Sequence, residues 1–423
     1  KKMETVNTIV TLLESGKHEQ ALHEYKTILA NGSNDERFLL AEELFNYGFL
    51  EEAKGLYQRL LEFFPDEGEI VVLLAEVLME LGEEEAAILE LEKMQEDDSA
   101  FPEALLLLAD LYQMEGLYEV SEKKLLQAKA LLPDEVVIDF ALGELYSEEG
   151  KLIQAIGCYE KVLEHTSEIA GVNVNLRLAD ALSAGGAFED SLGYYEKALE
   201  DKLEINTLFH YGFTALQAGF NQKAIEKFLE LKALDPEYTS MYVYLARAYE
   251  REEELEKGFE TIREGLKYDE FNKDLYVYGG KLALKNGKER EAEKMFREAL
   301  ALDPEMTEAA LTLNKLLLHQ ERYEDVLEIV NMMEAVGETE PQFMWDAAAS
   351  YQKLEEYSQA LNRYESAYTY YKDTLDFLVD YGYFLMEEGK RGAAVEVFNK
   401  LLELDPSNEE FLDVKHRLLD DDY

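Results

Sequence analysis

Nine glycines, Gly16, Gly48, Gly82, Gly116, Gly150, Gly186, Gly219, Gly287 and Gly389, return through this chain about once every 34 residues, a period that only helical or mixed repeat arrays use. Glu253, Glu321 and Glu355 fill the slots where a glycine is missing. With the turn counted as position 15, twelve units begin near Lys2, Asn34, Gly68, Pro102, Val136, Val172, Ile205, Thr239, Lys273, Thr307, Pro341 and Leu375. The step from Val136 to Val172 is the long one and the next is short; otherwise the phase holds after a shortened first unit.

Three further positions carry the same period. Position 8 is Ala or Gly in all but two units, as in Ala41, Gly143, Gly212 and Gly280. Position 20 is small everywhere except Val326, and position 24 is always large and apolar, as in Tyr57, Tyr159, Phe228 and Phe296. Two helices cross closely only where facing side chains leave room, so these positions mark a helix-turn-helix whose helices touch. The seven prolines respect the unit boundaries: Pro65, Pro133, Pro236, Pro304 and Pro406 follow a second helix, and Pro102 and Pro341 open a first one, where a missing N–H costs little.

These residues resemble the tetratricopeptide repeat (TPR) family from residue 2 to about 408, most clearly in LGELYSEEGKLIQAIGCYEKVL (142–163) and YGGKLALKNGKEREAEKMFREALALDP (278–304). The resemblance implies an all-α, right-handed superhelical solenoid of about twelve helix-turn-helix units. It implies a continuous array over 1–406 and, over 407–423, a capping helix with an acidic tail at Asp420, Asp421, Asp422 and Tyr423. As a whole the chain is similar to cytoplasmic multi-TPR proteins of Gram-positive bacteria.

Composition narrows the function. The formal charge is −50, which works against nucleic acid and anionic membranes, both of which need a concentrated positive face. No apolar run approaches a membrane span, and KKMETVNTIVTLLESG reads as a charged amphipathic helix rather than a signal peptide. A cytoplasmic location is the expectation. Cys158 is the only cysteine, so neither an internal disulfide nor a cysteine metal cage is expected. The six histidines show no ligand spacing, and the Gly-Lys pairs fall on interhelical turns without a phosphate-loop pattern. No catalytic residue, metal site or cofactor is expected, and the chain reads as a non-enzyme.

What remains is the concave face. In TPR arrays positions 2, 5, 9, 12 and 13 of the first helices line it, and here position 5 is apolar in every unit, including Phe38, Leu106, Phe140, Phe209 and Trp345. Position 9 runs Glu42, Glu76, Asp110, Glu144 and Asp180, passes Phe213, and turns basic at Arg247, Lys281 and Lys315. Position 13 follows with Arg251, Lys285 and Lys353 in the second half. The expected face is apolar along its floor, acidic in the N-terminal half and basic in the C-terminal half. The two-carboxylate clamp of chaperone-binding TPR domains is absent, because its position-5 lysine is replaced by apolar residues. The expected function is a scaffold or adaptor that holds a partner protein or peptide. Self-assembly into a homo-oligomer is the alternative, and an RNA-binding repeat is disfavoured because stacking aromatics with bases do not run the length of the face.

Nearest-neighbour coupling predicts that deleting residues 172–204 leaves a folded array, since flanking units can rejoin through the same kind of interface. Circular dichroism of the deletion variant checks this; loss of most of the helical signal would show that the units are not interchangeable.

Overall fold

A computed structural model describes residues 2–420 of the protein. It is all-α apart from one short hairpin, and it divides into two compact units, Lys1–His210 and Tyr211–Tyr423. In the first unit the helices are α1 (Lys2–Glu14), α2 (His18–Asn31), α3 (Asn34–Asn46), α4 (Leu50–Phe63), α5 (Gly68–Glu80), α6 (Glu84–Glu92), α7 (Phe101–Met114), α8 (Tyr118–Leu131), α9 (Val136–Glu148) and α10 (Leu152–Leu163). The strands β1 (Glu168–Ile169) and β2 (Val172–Asn173) then precede α11 (Val174–Ala184) and α12 (Phe188–Asp201). The boundary falls within α13 (Ile205–Gln217). The second unit continues with α14 (Asn221–Leu234), α15 (Ser240–Arg251), α16 (Leu255–Tyr268), α17 (Lys273–Lys285), α18 (Glu289–Leu302), α19 (Thr307–His319), α20 (Tyr323–Ala335), α21 (Pro341–Lys353), α22 (Tyr357–Tyr371), α23 (Leu375–Glu387), α24 (Arg391–Leu404) and α25 (Glu409–Leu419).

Each pair is joined by a turn whose position-15 residue takes the left-handed conformation. In the fifth pair the Gly150 N–H donates to the Ser147 carbonyl (3.1 Å) and the Lys151 N–H to the Tyr146 carbonyl (2.8 Å), a Schellman closure of α9. Gly150 has φ +78° there, and Glu253, Glu321 and Glu355 have φ of 59°, 57° and 62° in the same closure. A Cβ at that conformation is strained, so three turns of the second unit hold a residue that the geometry disfavours.

Within a pair, position 8 meets position 24. A Cβ placed on Gly280 would lie 2.7 Å from the Phe296 ring, and one on Gly212 would lie 2.6 Å from Phe228, so glycine is what lets these rings be fully buried. Where position 8 is alanine, as at Ala41 facing the Tyr57 pair, the same crossing holds with both residues buried. The tenth pair departs from this, because Asn314 occupies position 8 and Val326 position 20, and both are fully buried.

The long sixth step has a local cause. Val172 belongs to β2, and the helix starts two residues later at Val174, because a hairpin turning on Ala170 (φ 51°) and Gly171 (φ 75°) takes up the extra chain. At the C-terminal end α25 buries Phe411, Val414 and Leu418, with the Phe411 ring 6.1 Å from that of Phe398 on α24. The acidic tail beyond Asp420 lies outside the described residues.

Replacing Glu253, Glu321 or Glu355 by Gly is expected to raise stability by about 0.5–1 kcal/mol each, the left-handed strain relieved less the extra unfolded-state freedom of glycine. Denaturant midpoints of the three single variants check it; unchanged or lower midpoints would mean that side-chain contacts of these glutamates outweigh the strain.

Candidate functional site

The position-5 floor is present and half-covered. Phe38, Leu106, Phe140, Phe209 and Trp345 are all half-buried, while Val6, Val72 and Val277 are buried outright. Packing accounts for the covered part: Phe38 meets Tyr57 edge-on at 6.5 Å and Phe140 lies 6.2 Å from Tyr159, both on the second helix of the same pair. The Phe209 ring stands 6.3 Å from that of His210. Trp345 packs against Tyr371 (5.2 Å) and Phe377 (5.4 Å), and its indole N–H donates to Asp380 Oδ2 at 3.0 Å.

In the first unit the acid row is split by its partners. Glu42, Glu76 and Asp110 have no cation within ion-pairing distance among the described residues. Burial, with the nearby charge of Glu103, pushes the Glu76 carboxyl up, and burial pushes up that of Asp110. Glu144 and Asp180 are engaged. The Tyr159 hydroxyl donates to Glu144 (2.6 Å) and Arg177 lies 3.0 Å from it, while the Tyr195 hydroxyl donates to Asp180 (2.6 Å) and His210 Nδ1 sits 2.9 Å away. The hydrogen bond with Asp180 raises the His210 pKa against the opposing effect of burial.

The basic row of the second unit divides in the same way. Lys281 pairs with Glu308, and Lys285 Nζ reaches Glu250 Oε2 at 2.5 Å. Arg251 donates to the Leu216 carbonyl (2.8 Å), serving the end of α13 rather than facing outward alone. Arg247, Lys315 and Lys353 have no carboxylate within ion-pairing distance among the described residues. Arg247 lies over the rings of Tyr244 (5.6 Å) and Tyr278 (6.0 Å), and Phe213 meets Tyr244 edge-on at 5.0 Å.

Sequence reasoning missed the groups that set these charge states. Tyr244 and Tyr278 at position 6, Arg177, and His210 were not singled out, although a position-24 tyrosine in the same unit as a position-9 acid was a readable signal for the first-unit pairs. It also missed Asp346, which is buried next to Asn314 in the interior of the second unit. Burial pushes the Asp346 carboxyl up to about 6, against hydrogen bonds from Gln342 (2.9 Å) and Asn314 and the charge of Lys315.

Burial and the charge of Asp139 push the Cys158 thiol up, which disfavours the thiolate. No group of three or more potential ligands could hold a metal ion, and no helix is long and apolar enough to cross a membrane, among the described residues. Two clefts of about 610 and 500 Å³ open instead beside second helices, near Lys54 and Glu90 and near Arg263 and Met295.

Repeated helix pairs, left-handed turns and small-residue crossings define this molecule as a helical-repeat protein of the TPR class. Family models agree: one for YpiA-like tetratricopeptide repeats matches residues 113–167, one for YpiA-like C-terminal tetratricopeptide repeats matches 341–408, and a general tetratricopeptide repeat model matches 47–111 and 283–343. The TPR repeat-containing protein YpiA of Bacillus subtilis (strain 168), a Gram-positive bacterium, is 42% identical over 416 residues, 98% of each chain. The chain therefore belongs to the YpiA-like tetratricopeptide repeat family. Among solved structures, YrrB, described as a TPR protein with an unusual peptide-binding site, is 16% identical with a TM-score of 0.38 and covers 44% of this chain and 95% of its own. The Cut9–Hcn1 hetero-tetramer of the APC/C is 13% identical with a TM-score of 0.35, covering 97% and 95%.

The raised pKa of Asp346 has a direct consequence for stability. The folded protein holds this proton up to about pH 6 whereas an unfolded aspartate gives it up near pH 4, so stability from this group falls as pH rises across that window. Asp346→Asn is expected to be roughly 2–3 kcal/mol more stable than the parent above pH 7 and to match it near pH 4. Unfolding curves at the two pH values check this; a parent as stable as the variant at pH 8 would show that Lys315 already compensates the charge.

Proposed function

We propose that this protein is a non-enzymatic interaction scaffold that holds a partner protein or peptide along the first-helix faces. The observation that supports it is the half-covered apolar row of position 5, flanked by charges that have no ion-pair partner among the described residues: Glu42, Glu76 and Asp110 in the first unit, and Arg247, Lys315 and Lys353 in the second. A half-exposed aromatic such as Trp345 beside free charges is the usual composition of a docking surface, apolar for affinity and charged for orientation and on-rate. The bases that already pair, Lys281 and Lys285, contribute less than the sequence alone would assign to them. Action in the cytoplasm on a protein rather than on nucleic acid fits the acidic composition.

The test begins with capture of the native partner by the intact chain. Trp345 is the only tryptophan, so its emission is expected to shift when the partner docks on α21. Lys315→Glu with Lys353→Glu should weaken binding at least about tenfold, or about 1.4 kcal/mol, mainly through slower association at low salt. Lys267→Glu with Lys294→Glu, on the second helices α16 and α18, should do little. Equal binding by the two double variants, with no change in Trp345 emission, would remove the second-unit face from the reading.

A further inference from the structure

Arg247 is held in a way that its basic neighbours are not. Its guanidinium lies over two tyrosine rings, at 5.6 Å from Tyr244 and 6.0 Å from Tyr278. These contacts and a hydrogen bond to the Tyr278 hydroxyl hold the group in place, and the guanidinium's remaining N–H donors can meet an acceptor. The one carboxylate nearby is already committed: Glu250 accepts from the Tyr278 hydroxyl (2.7 Å) on one oxygen and from Lys285 (2.5 Å) on the other. Burial pushes the Glu250 carboxyl upward, but those two hydrogen bonds and the charges of Lys285 and Arg247 outweigh it and hold it below the usual carboxylate range. Lys281, one unit further on, is occupied by Glu308. The result is one half-buried guanidinium without an ion-pair partner among the described residues, with an aromatic edge beside it where Phe213 meets Tyr244 at 5.0 Å.

We infer that Arg247 is the carboxylate-gripping residue of a subsite for an acidic segment of a partner protein, in which a glutamate or aspartate side chain is followed by a large apolar one. The guanidinium takes the carboxylate through two parallel N–H donors, the geometry that an arginine fork matches best. The neighbouring apolar side chain lies on Tyr244 and Phe213. A side-chain carboxylate fits better than a chain terminus, because a terminus is gripped by donors converging from several sides and the lysines flanking Arg247 are already paired. A single negative charge also fits better than a phosphate, since a chain carrying −50 works against a dianion at a site with one open cation.

This inference rests on the interaction-scaffold reading and is tested separately from it. The probes are a short N-acetylated, C-amidated peptide alternating glutamate with phenylalanine, its glutamine counterpart, and the glutamate peptide with a free C-terminal carboxylate. Calorimetric titration of the full chain should show the amidated glutamate peptide binding at least about tenfold tighter than the glutamine one. Arg247→Gln should abolish that preference, and Arg247→Lys should keep only part of it, because an ammonium keeps the charge but not the fork. Circular dichroism of both variants should match the parent. Binding of neither peptide to the parent, equal binding of both, or an unchanged preference in Arg247→Gln overturns the inference. So does a free terminus that binds tenfold tighter than the amide. If Arg247→Gln still holds the native partner while the Lys315 and Lys353 double variant does not, the subsite falls and the scaffold reading stands.

Discussion

The close crossing of two helices within each pair is the contact on which the rest of this protein depends. It needs a near-absent side chain on the first helix and a large one on the second, and the chain meets that need by matching them: Gly143 with Tyr159, Gly212 with Phe228, Gly280 with Phe296 and Gly382 with Phe398. Because the match is made inside a pair, each pair presents the next with much the same surface, and burial proceeds by neighbours rather than through one central core. Two pairs break the rule, the first with Ile9 at position 8 and the tenth with Asn314. Asn314 belongs to the pair whose position-24 residue is the smaller Val330, and it is fully buried beside Asp346.

The same crossing sets the chemistry of the exposed face. The ring that fills the space over position 8 points its far end toward position 9, so a tyrosine there delivers a hydroxyl to a face carboxylate, as Tyr159 does for Glu144 and Tyr195 for Asp180. Phenylalanine fills the space equally well but brings no donor, and in the Phe228 and Phe296 pairs position 9 is Phe213 and Lys281. The tyrosine donor serves only those two acids, since Glu76 and Asp110 stand in units whose position-24 residue is Leu91 or Leu125.

Much of the fold was legible in the sequence. Positive φ at Gly48, Gly150, Gly287 and Gly389, and at Glu253, Glu321 and Glu355, falls at the residues that the period marks as turns. The hairpin at Glu168–Asn173 was not legible, since two extra residues in a spacing do not say whether they extend a helix or leave it. The candidate face was legible as a row of residue types and no further. Lys281 and Lys315 occupy the same position in successive units and read alike, yet the first is paired with Glu308 and the second is not paired among the described residues.

By itself the sequence determined the helix pairs, their turns, their small-residue crossings and the family, because each of these is settled by contacts within one pair or between adjacent pairs and so repeats with the period. Only the tertiary structure decided which charges on the face are free. Pairing depends on side-chain reach between neighbouring helices, where Glu250 takes both Tyr278 and Lys285 and leaves Arg247 beside the Tyr244 ring without an ion-pair partner among the described residues, and where burial pushes the Asp346 carboxyl up to about 6. A period in residue type cannot encode that choice, since the distances that make or break an ion pair differ by less than the length of one side chain.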